Sequence, residues 1–353
     1  MNILLLIIAL LLSFFSLGIY WIISLVPIIG IHWLQYTLLK RLIIHSVAIT
    51  IALLVYLSSE SLFSLLCFIV VLLWTALTFV LVPGNIFPAL MYSVHKKAES
   101  GSIDSTEVLG LNISDKYIAY PILDMVAPHH IINDKINNTP YIVTYCPACR
   151  SGMVYSSVIN ETQLTFAVAG LYRKNMTFID NETKTIWQQA TGKAIYGQLK
   201  GHELSYIFFS QLNLNEWIKE HPDTYIATEP IDSKHSIIPK TIFNKVLITG
   251  VISHVSLPGL NKKDIRLNQH EVIAGIKIKN FKKAYPLTLL KQYPNIFDKI
   301  GEVEISISYN SNKNEIIATN TLTKEKIFVE RHWWLAWSEF YPDTLVYNLK
   351  NMV

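Results

Sequence analysis

The chain has 353 residues, of which 51% are hydrophobic and 16% are charged, and its formal net charge is +4. Soluble domains carry roughly 25% charged residues, so part of this chain is not an ordinary soluble domain. The lysines are scattered, which excludes the clustered basic surface that nucleic-acid binding requires, and three cysteines are too few for a disulfide-stapled secreted scaffold.

The first 83 residues have a composition of their own. Their only formal charges are Lys40, Arg41 and Glu60, and a membrane-spanning helix needs about 20 apolar residues. The uncharged run from 3 to 31 is too long for one upright span and too short for two, so we expect a break near Pro27. Three spans are predicted, in residues 3–31, 42–57 and 62–82, with four spans as the alternative.

The basic residues around these spans bear on membrane sidedness. Lys40 and Arg41 lie between the first and second spans, and Lys96 and Lys97 follow the third. With three spans, both pairs fall on one side of the membrane, which the positive-inside rule makes cytoplasmic. The charge pattern therefore favours a cytoplasmic position for the rest of the chain.

From about residue 108, short β-rich runs alternate with turn residues. The predicted strands lie in residues 141–145, 153–159, 164–168 and 176–179. The clearest helical pattern covers residues 214–220 and ends before Pro222. Residues 229–242 contain two prolines with Asp232 and Ser233 and are predicted to form a loop.

Three landmarks occur twice in the same order, which indicates an internal duplication. Each copy has an Ala-Tyr-Pro tripeptide, a tyrosine 24 or 25 residues later, and a tryptophan five positions before a Pro-Asp-Thr tripeptide. These are Ala119-Tyr120-Pro121, Tyr145, Trp217 and Pro222-Asp223-Thr224 in the first copy, and Ala284-Tyr285-Pro286, Tyr309, Trp337 and Pro342-Asp343-Thr344 in the second.

The predicted fold is a set of N-terminal transmembrane helices followed by a mainly β, β-rich α+β domain built from two unequal repeats. The predicted parts are a membrane domain (1–83), a juxtamembrane linker (84–107), a first repeat (108–228), a linker (229–245) and a degenerate second repeat (246–353).

The most chemically specific stretch is the Cys-Pro-x-Cys segment from Cys146 to Cys149, between two apolar runs. Two such thiols can share a metal ion, form a disulfide or provide a nucleophile. A strand rather than a helix is predicted after Cys149, which argues against a thioredoxin fold but not against disulfide chemistry. The third cysteine, Cys67, lies in an apolar run, where a small buried residue is expected. The chain therefore has no second cysteine pair that could complete a four-thiolate zinc site.

These features resemble a bacterial family catalogued as domain of unknown function 3179, over about residues 108–347. The resemblance is carried by Ala119-Tyr120-Pro121, His129 with Asn133-Asp134, Thr144-Tyr145-Cys146-Pro147-Ala148-Cys149, and Trp187-Gln188-Gln189 before Gly192-Lys193-Ala194-Ile195. One departure is Arg150, where the family pattern has a glycine directly after the second cysteine. Many proteins of this family look exported, which opposes the sidedness that the charges favour.

The resemblance implies a site around the cysteines. His129 is the preferred third metal ligand or general base, with Asn133 and Asp134 as residues that orient it. Trp187 and Gln189 are expected to line the same pocket. The polar break at Tyr172, Arg173 and Asn175 adds Tyr172 and Arg173 as pocket residues, since an arginine can hold a carboxylate or phosphate.

Three hypotheses for the function follow. The first is a site in which Cys146, Cys149 and His129 bind copper or zinc, with catalysis if a coordination position stays open. The second is a thiol–disulfide oxidoreductase, and the third is a membrane scaffold that binds a partner without catalysis. The expected location is the bacterial inner membrane in a multi-pass arrangement. The lipid bilayer is one partner and an unidentified small molecule or protein another, whereas nucleic acid is excluded.

Overall fold

The computed structural model describes residues 1–99, 106–243, 245 and 258–348. The apolar N-terminal quarter forms three long helices, α1 (Asn2–Leu25), α2 (Thr37–Ser59) and α3 (Leu62–Val80). Each is long and apolar enough to cross a membrane, so the prediction of three such helices is confirmed. Parts of the predicted linker 84–107 and of the predicted second repeat 246–353 lie outside the described residues.

The break after α1 lies where proline and glycine predict it. Pro27 occupies the first position of a short 3-10 helix (Pro27–Ile29), and Gly30 takes a φ of 100°, which favours glycine. A second 3-10 helix (Ile31–Leu34) leads into α2. The three long helices pack through small side chains, among them Ala9, Ala48 and Ala52, which allow the backbones to approach closely.

The other helices are short: α4 (Pro83–Ile86), α5 (Ile122–Val126), α6 (Leu214–Glu220), α7 (Lys240–Ile242), α8 (Leu287–Gln292) and α9 (Trp334–Phe340). The strands are β1 (Leu90–Met91), β2 (Val94–Lys97), β3 (Glu107–Ile113), β4 (Lys116–Pro121), β5 (Ile131–Ile136), β6 (Thr139–Cys146), β7 (Ser151–Ser156), β8 (Val158–Ile159), β9 (Thr162–Gln163), β10 (Phe166–Tyr172), β11 (Asn175–Asp180), β12 (Ile186–Gln188), β13 (Ala194–Tyr196), β14 (Phe209–Asn213), β15 (Tyr225–Thr228), β16 (Val272–Ile278), β17 (Phe281–Pro286), β18 (Asn295–Ile300), β19 (Val303–Asn310), β20 (Glu315–Asn320), β21 (Lys326–Ile327), β22 (Val329–Trp333) and β23 (Leu345–Val346).

Within the described ranges the strands form five small sheets in a propeller-like arrangement, together with the β8–β9 hairpin. The strand orders are β1-β5-β6-β7, β10-β11-β12-β13, β14-β3-β4-β15-β2, β22-β16-β17-β23 and β18-β19-β20-β21. The β-rich domain is therefore confirmed, as is the helix predicted at residues 214–220.

Strand β6 places the cysteine segment through its alternation. Successive side chains of a strand point to opposite faces. Tyr141, Val143 and Tyr145 enter one apolar core, shared with β3 and β4. Ile142 and Cys146 enter a second core, shared with β10, β11 and β12. Cys146 therefore points toward the β10-β11-β12-β13 sheet, which follows β6 in the chain.

Two sheets in the two halves of the domain have corresponding strand orders. In β14-β3-β4-β15, the outer strand β14 leads directly into α6, and β4 pairs in parallel with β15. In β22-β16-β17-β23, the outer strand β22 leads directly into α9, and β17 pairs in parallel with β23.

The tryptophan landmarks have the same contacts in both halves. A Cβ atom added at Gly110 would lie 2.5 Å from the Trp217 ring, and one at Gly275 would lie closer still to the Trp337 ring. Nε1 of Trp217 donates to Thr224 Oγ1 at 2.8 Å, and Nε1 of Trp337 donates to the corresponding Thr344 at 3.1 Å. The threonine fixes the ring, and the glycine makes room for it.

Helix α1 packs on the β-rich domain as well as on its two neighbouring helices. Ile19 and Ile23 of α1, with Leu34, form an apolar cluster with Ala169 of β10 and Ile186 of β12. The side-chain amide of Gln35 also donates to the Lys184 carbonyl at 2.9 Å. The helical bundle and the second sheet are therefore joined by direct packing.

We predict that Gly110→Ala lowers the free energy of unfolding by about 1–3 kcal/mol, because Trp217 is held by Thr224 and cannot move away from the added methyl group. Chemical denaturation of the detergent-purified protein measures this effect. Gly84→Ala is the matched control, since no atom lies within 4 Å of a Cβ placed there. Equal stability of the two variants would contradict the prediction.

Candidate functional site

The Cys146-Pro147-Ala148-Cys149 segment forms the turn of the β6–β7 hairpin. Cys146 pairs with Ser151 at the end of the ladder, and the Cys149 amide donates to the Cys146 carbonyl at 3.1 Å. The two cysteines are joined as a disulfide, with their Cα atoms 5.4 Å apart. Arg150 takes a φ of 52°, so it adopts the left-handed conformation that a glycine would favour at this position.

Asn175 holds the sulfur of Cys149. Its Nδ2 donates to Cys149 Sγ at 3.0 Å and to Gln189 Oε1 at 2.9 Å. The amide orientation is fixed because Asn175 Oδ1 accepts from the Ala190 amide at 2.9 Å. On another side, the Lys174 carbonyl oxygen lies 3.2 Å from the same sulfur. Cys149 therefore lies between one hydrogen-bond donor and one acceptor.

Gln189 extends this polar network toward the hairpin. Its Nε2 donates to Thr144 Oγ1 at 3.3 Å and to the Ser151 carbonyl at 3.2 Å, and its Oε1 accepts from the Ser151 hydroxyl at 3.2 Å. Gln188 donates to Asn175 Oδ1 at 2.6 Å. All of these side chains are buried, and such groups need partners to avoid a desolvation cost. The network therefore fixes the surroundings of Cys149.

Cys146 borders a cavity of about 220 Å³. The cavity lies between the C-terminal end of α1, the segment after α3, strand β10 and the cysteine turn. Its walls are largely apolar, and the polar side chains in them are few. The residues around it are Tyr20, Trp21, Ser24, Leu81, Pro83, Ile86, Phe87, His130, Cys146, Pro147, Ala148, Val168, Gly170, Leu171, Met176, Phe243 and Leu335.

The histidine at the cavity is His130 and not the predicted His129. His130 Nδ1 donates to the Met125 carbonyl at 2.8 Å, and its ring stacks on Phe87 with centroids 4.4 Å apart. Burial lowers the pKa of His130 to about 4, so the imidazole is neutral at pH 7. Because Nδ1 carries the proton, Nε2 is available as an acceptor.

His129 has other contacts. Its Nδ1 is 2.8 Å from the Pro88 carbonyl oxygen. Its Nε2 lies 3.1 Å from Glu229 Oε1, at ion-pair distance but without the alignment of a hydrogen bond. In the described part of the chain, no three histidine, cysteine, aspartate or glutamate side chains are grouped as the ligands of one metal ion would be. The described residues therefore give no support to the copper or zinc site, which stays a prediction.

Asn133 and Asp134 contact elements other than His129. Asn133 accepts from the Phe166 amide at 2.7 Å and donates to the Phe166 carbonyl at 2.9 Å, which joins β5 to β10. Asp134 accepts from the Tyr120 hydroxyl at 2.8 Å and contacts His95 Nε2 at 3.0 Å.

The other predicted pocket residues separate into core and interface positions. Trp187 is buried among core residues, and its Nε1 donates to Asp180 Oδ2 at 2.9 Å. Tyr172 packs at the edge of the cluster between α1 and β10. Arg173 donates from Nε to the buried Glu339 Oε1 at 2.9 Å, so it binds a carboxylate of the protein itself.

Comparison with protein families finds one match. The model of the family described as Protein of unknown function (DUF3179) matches residues 85–330, which include the cysteine turn, both histidines and the polar network. Comparison with curated proteins and with solved structures returns no match.

We predict that acidification destabilises the protein through His130. The unfolded histidine takes up a proton near pH 6.5, whereas the folded one does so near pH 4. Stability therefore falls as the pH decreases between these values, by up to about 3 kcal/mol. Denaturation of the wild type and of His130→Gln at pH 7 and pH 4 measures this loss, which should be smaller in the variant. His202→Gln, at an exposed position, should behave as the wild type; an unchanged loss in His130→Gln would contradict the prediction.

Proposed function

Since the chain belongs to the family described as Protein of unknown function (DUF3179), we propose a function from the site itself, namely thiol–disulfide exchange by a membrane-anchored protein. The observation that carries the proposal is the asymmetry of the cysteine pair. Cys146 borders an apolar cavity, whereas Cys149 accepts a hydrogen bond from the buried Asn175. One sulfur is placed for attack and the other as a leaving group.

The proposed reaction oxidises a substrate that carries two thiols. A substrate thiolate attacks Cys146 Sγ, the Cys146–Cys149 bond breaks, and Cys149 leaves as a thiolate. The second substrate thiolate then attacks the substrate sulfur of the mixed disulfide, which forms the substrate disulfide and releases Cys146 as a thiolate. Two protons from the substrate thiols restore both cysteine thiols, so the pair has gained two electrons.

Asn175 and Lys174 support the departure of Cys149. A hydrogen bond to a charged group is stronger than one to a neutral group, so the bond from Asn175 strengthens as negative charge develops on Sγ. Once protonated, the Cys149 thiol donates to the Lys174 carbonyl, which lies 3.2 Å away. The first contact stabilises the thiolate, and the second stabilises the thiol.

We propose that the two halves of the domain are unequal copies of one unit, because their strand orders and several contacts correspond. The strand orders around α6 and α9 correspond, and a Tyr-Asp hydrogen bond occurs at related positions, from Tyr120 to Asp134 and from Tyr285 to Asp298. The second copy has Asn310-Ser311-Asn312-Lys313 where the first has its cysteines, so the proposed chemistry belongs to the first copy alone.

We propose that the β-rich domain lies on the exported side of a bacterial inner membrane, where disulfides persist. The opposing charge argument depends partly on Lys40 and Arg41. Lys40 donates to the Gln35 carbonyl at 2.8 Å, and Arg41 donates to the Thr78 carbonyl at 2.8 Å with its guanidinium over the Tyr20 ring. Both residues have structural roles at the helix ends, which weakens their value as topology signals.

We predict that Cys146 and Cys149 interconvert between dithiol and disulfide at one defined potential. Alkylation of the detergent-purified protein across a series of thiol buffers, followed by mass spectrometry, measures the equilibrium. In Cys149→Ser, the Cys146 thiolate should attack the disulfide of 2-mercaptoethanol and retain one half as a mixed disulfide while the other half leaves as a thiol. In Cys146→Ser no mixed disulfide should accumulate. A pair that does not interconvert would contradict exchange. Stoichiometric copper or zinc that is lost in Cys146→Ser would favour the metal-site hypothesis instead.

We predict that Asn175→Ala makes the pair harder to reduce. The lost hydrogen bond stabilises the reduced form more than the disulfide, and about 1.5–3 kcal/mol corresponds to a potential roughly 30–60 mV more negative. The same alkylation series measures the shift. Asn133→Ala is the matched control, because Asn133 is also a buried, fully bonded asparagine but contacts neither cysteine. An equal shift in both variants would contradict the role given to Asn175.

A further inference from the structure

We propose that the apolar cavity beside Cys146 binds the ring of a lipid-soluble quinone, which takes two electrons and two protons from the reduced cysteine pair. This inference rests on the proposed thiol–disulfide exchange and supplies its electron acceptor. It follows from the position of the cavity, the chemistry of its walls, its size and the histidine within it.

The cavity lies where the helical bundle meets the β-rich domain. Tyr20, Trp21 and Ser24 contribute the end of α1, and Leu81 and Pro83 contribute the segment after α3. Trp21 lies near the end of α1 and is 61% exposed, and tryptophan is enriched at the membrane interface near the ends of spanning helices. A ligand dissolved in the bilayer therefore reaches the cavity without crossing water.

The walls select an uncharged, planar ligand. Apolar and aromatic side chains dominate them, including Phe87, Phe243 and Leu171, and the described lining residues carry no carboxylate, lysine or arginine. Charged electron acceptors such as oxidised nucleotide cofactors or glutathione disulfide would lose their hydration without a counter-charge in return. A quinone ring carries no charge and partitions into apolar surroundings.

The size of the cavity fits a single substituted ring. A protein cavity of about 150 Å³ with apolar walls accommodates benzene, and this one has about 220 Å³. There is room for a ring with small substituents but not for a long isoprenoid tail. A tail would extend from the ring along α1 into the bilayer.

His130 provides a polar contact suited to the reduced ring. Its Nδ1 donates to Met125, which leaves Nε2 as an acceptor for the hydroxyl group of a hydroquinone. The imidazole is held by stacking on Phe87 and by a tilted ring contact with Phe243, at centroid distances of 4.4 Å and 5.8 Å. The histidine thus favours the product of quinone reduction without adding charge to the cavity.

The electron balance of the step is complete. The Cys146 thiolate adds to the quinone ring through its sulfur, and the Cys149 thiolate then attacks Cys146 Sγ. The Cys146–ring bond breaks, its electron pair remains on the ring, and the Cys146–Cys149 disulfide forms. The ring takes up the two protons that the thiols released, so one dithiol and one quinone yield one disulfide and one hydroquinone.

The test separates binding from electron transfer. A benzoquinone with a decyl tail is titrated into detergent-purified protein, with tryptophan fluorescence as the measure of binding. The Cys146→Ser/Cys149→Ser variant should still bind it saturably but not reduce it, since the rest of the cavity wall remains. Leu171→Trp, which fills the cavity, should weaken binding at least tenfold, and Leu322→Trp, at a position 79% exposed in the second half, should not.

Electron transfer is then measured by absorbance, with wild-type protein that has been reduced beforehand. The protein should convert one quinone to hydroquinone for each disulfide formed. Ala148→Leu serves as a second cavity variant should Leu171→Trp fail to fold by circular dichroism. The quinone inference would be overturned if the wild type showed no saturable binding, or if it bound decanol as tightly as the quinone. It would also be overturned if the cavity variants bound the quinone as tightly as the wild type, or if the bound quinone were not reduced. If a dithiol still reduces the pair while the quinone does not oxidise it, exchange stands and the quinone inference fails. If neither reagent changes the pair, the proposed function fails as well.

Discussion

The contact between helix α1 and strand β10 is the constraint on which the arrangement of the site depends. Ile19 and Ile23 pack on Ala169, and a Cβ atom at Gly170 would already lie 3.4 Å from Leu34. Because β10 stands beside the cysteine turn, this contact brings the end of a long apolar helix to the edge of a disulfide. Without it, the turn would face water and no apolar cavity would form.

The two faces of the cysteine turn differ in polarity, and that difference carries the proposed chemistry. Behind Cys149 lies a buried network in which Asn175 and Gln189 have each hydrogen bond accounted for. In front of Cys146 lies an apolar space with the neutral His130. A leaving sulfur is stabilised by a hydrogen-bond donor, whereas attack by an apolar partner is favoured where little water is present. Cys146 is buried from water, so in this proposal its partner approaches through the cavity that it borders.

Sequence patterns predict the parts of this structure that depend on local order. Apolar length predicts the three long helices, and the alternation in β6 places Cys146 in the core that it shares with β10. The two histidines differ in their contacts with distant residues: His130 stacks on Phe87 and lines the cavity, whereas His129 contacts Pro88 and Glu229. Sequence alone does not say which of His129 and His130 faces the cavity, because both precede β5 and the alternation of a strand does not apply to them.

Other features depend on contacts between residues that are distant in the chain. Arg173 meets Glu339, so an arginine with the pattern of a ligand-binding residue joins the two halves. The departure from the family pattern at Arg150 is accommodated because a non-glycine residue takes the left-handed φ. The cavity forms only where α1, β10 and the cysteine turn meet. The sequence pattern of any one of these elements therefore does not predict it.

The most direct test of the account asks from which medium Cys146 is reached. In a Cys67→Ala background, the reduced protein in liposomes is treated with an apolar maleimide or with a charged thiol reagent of similar size, and the modified peptide is identified by mass spectrometry. The account predicts that the apolar reagent modifies Cys146 much faster than the charged one and that neither readily modifies Cys149. Equal rates for the two reagents at Cys146, or faster modification of Cys149, would contradict it.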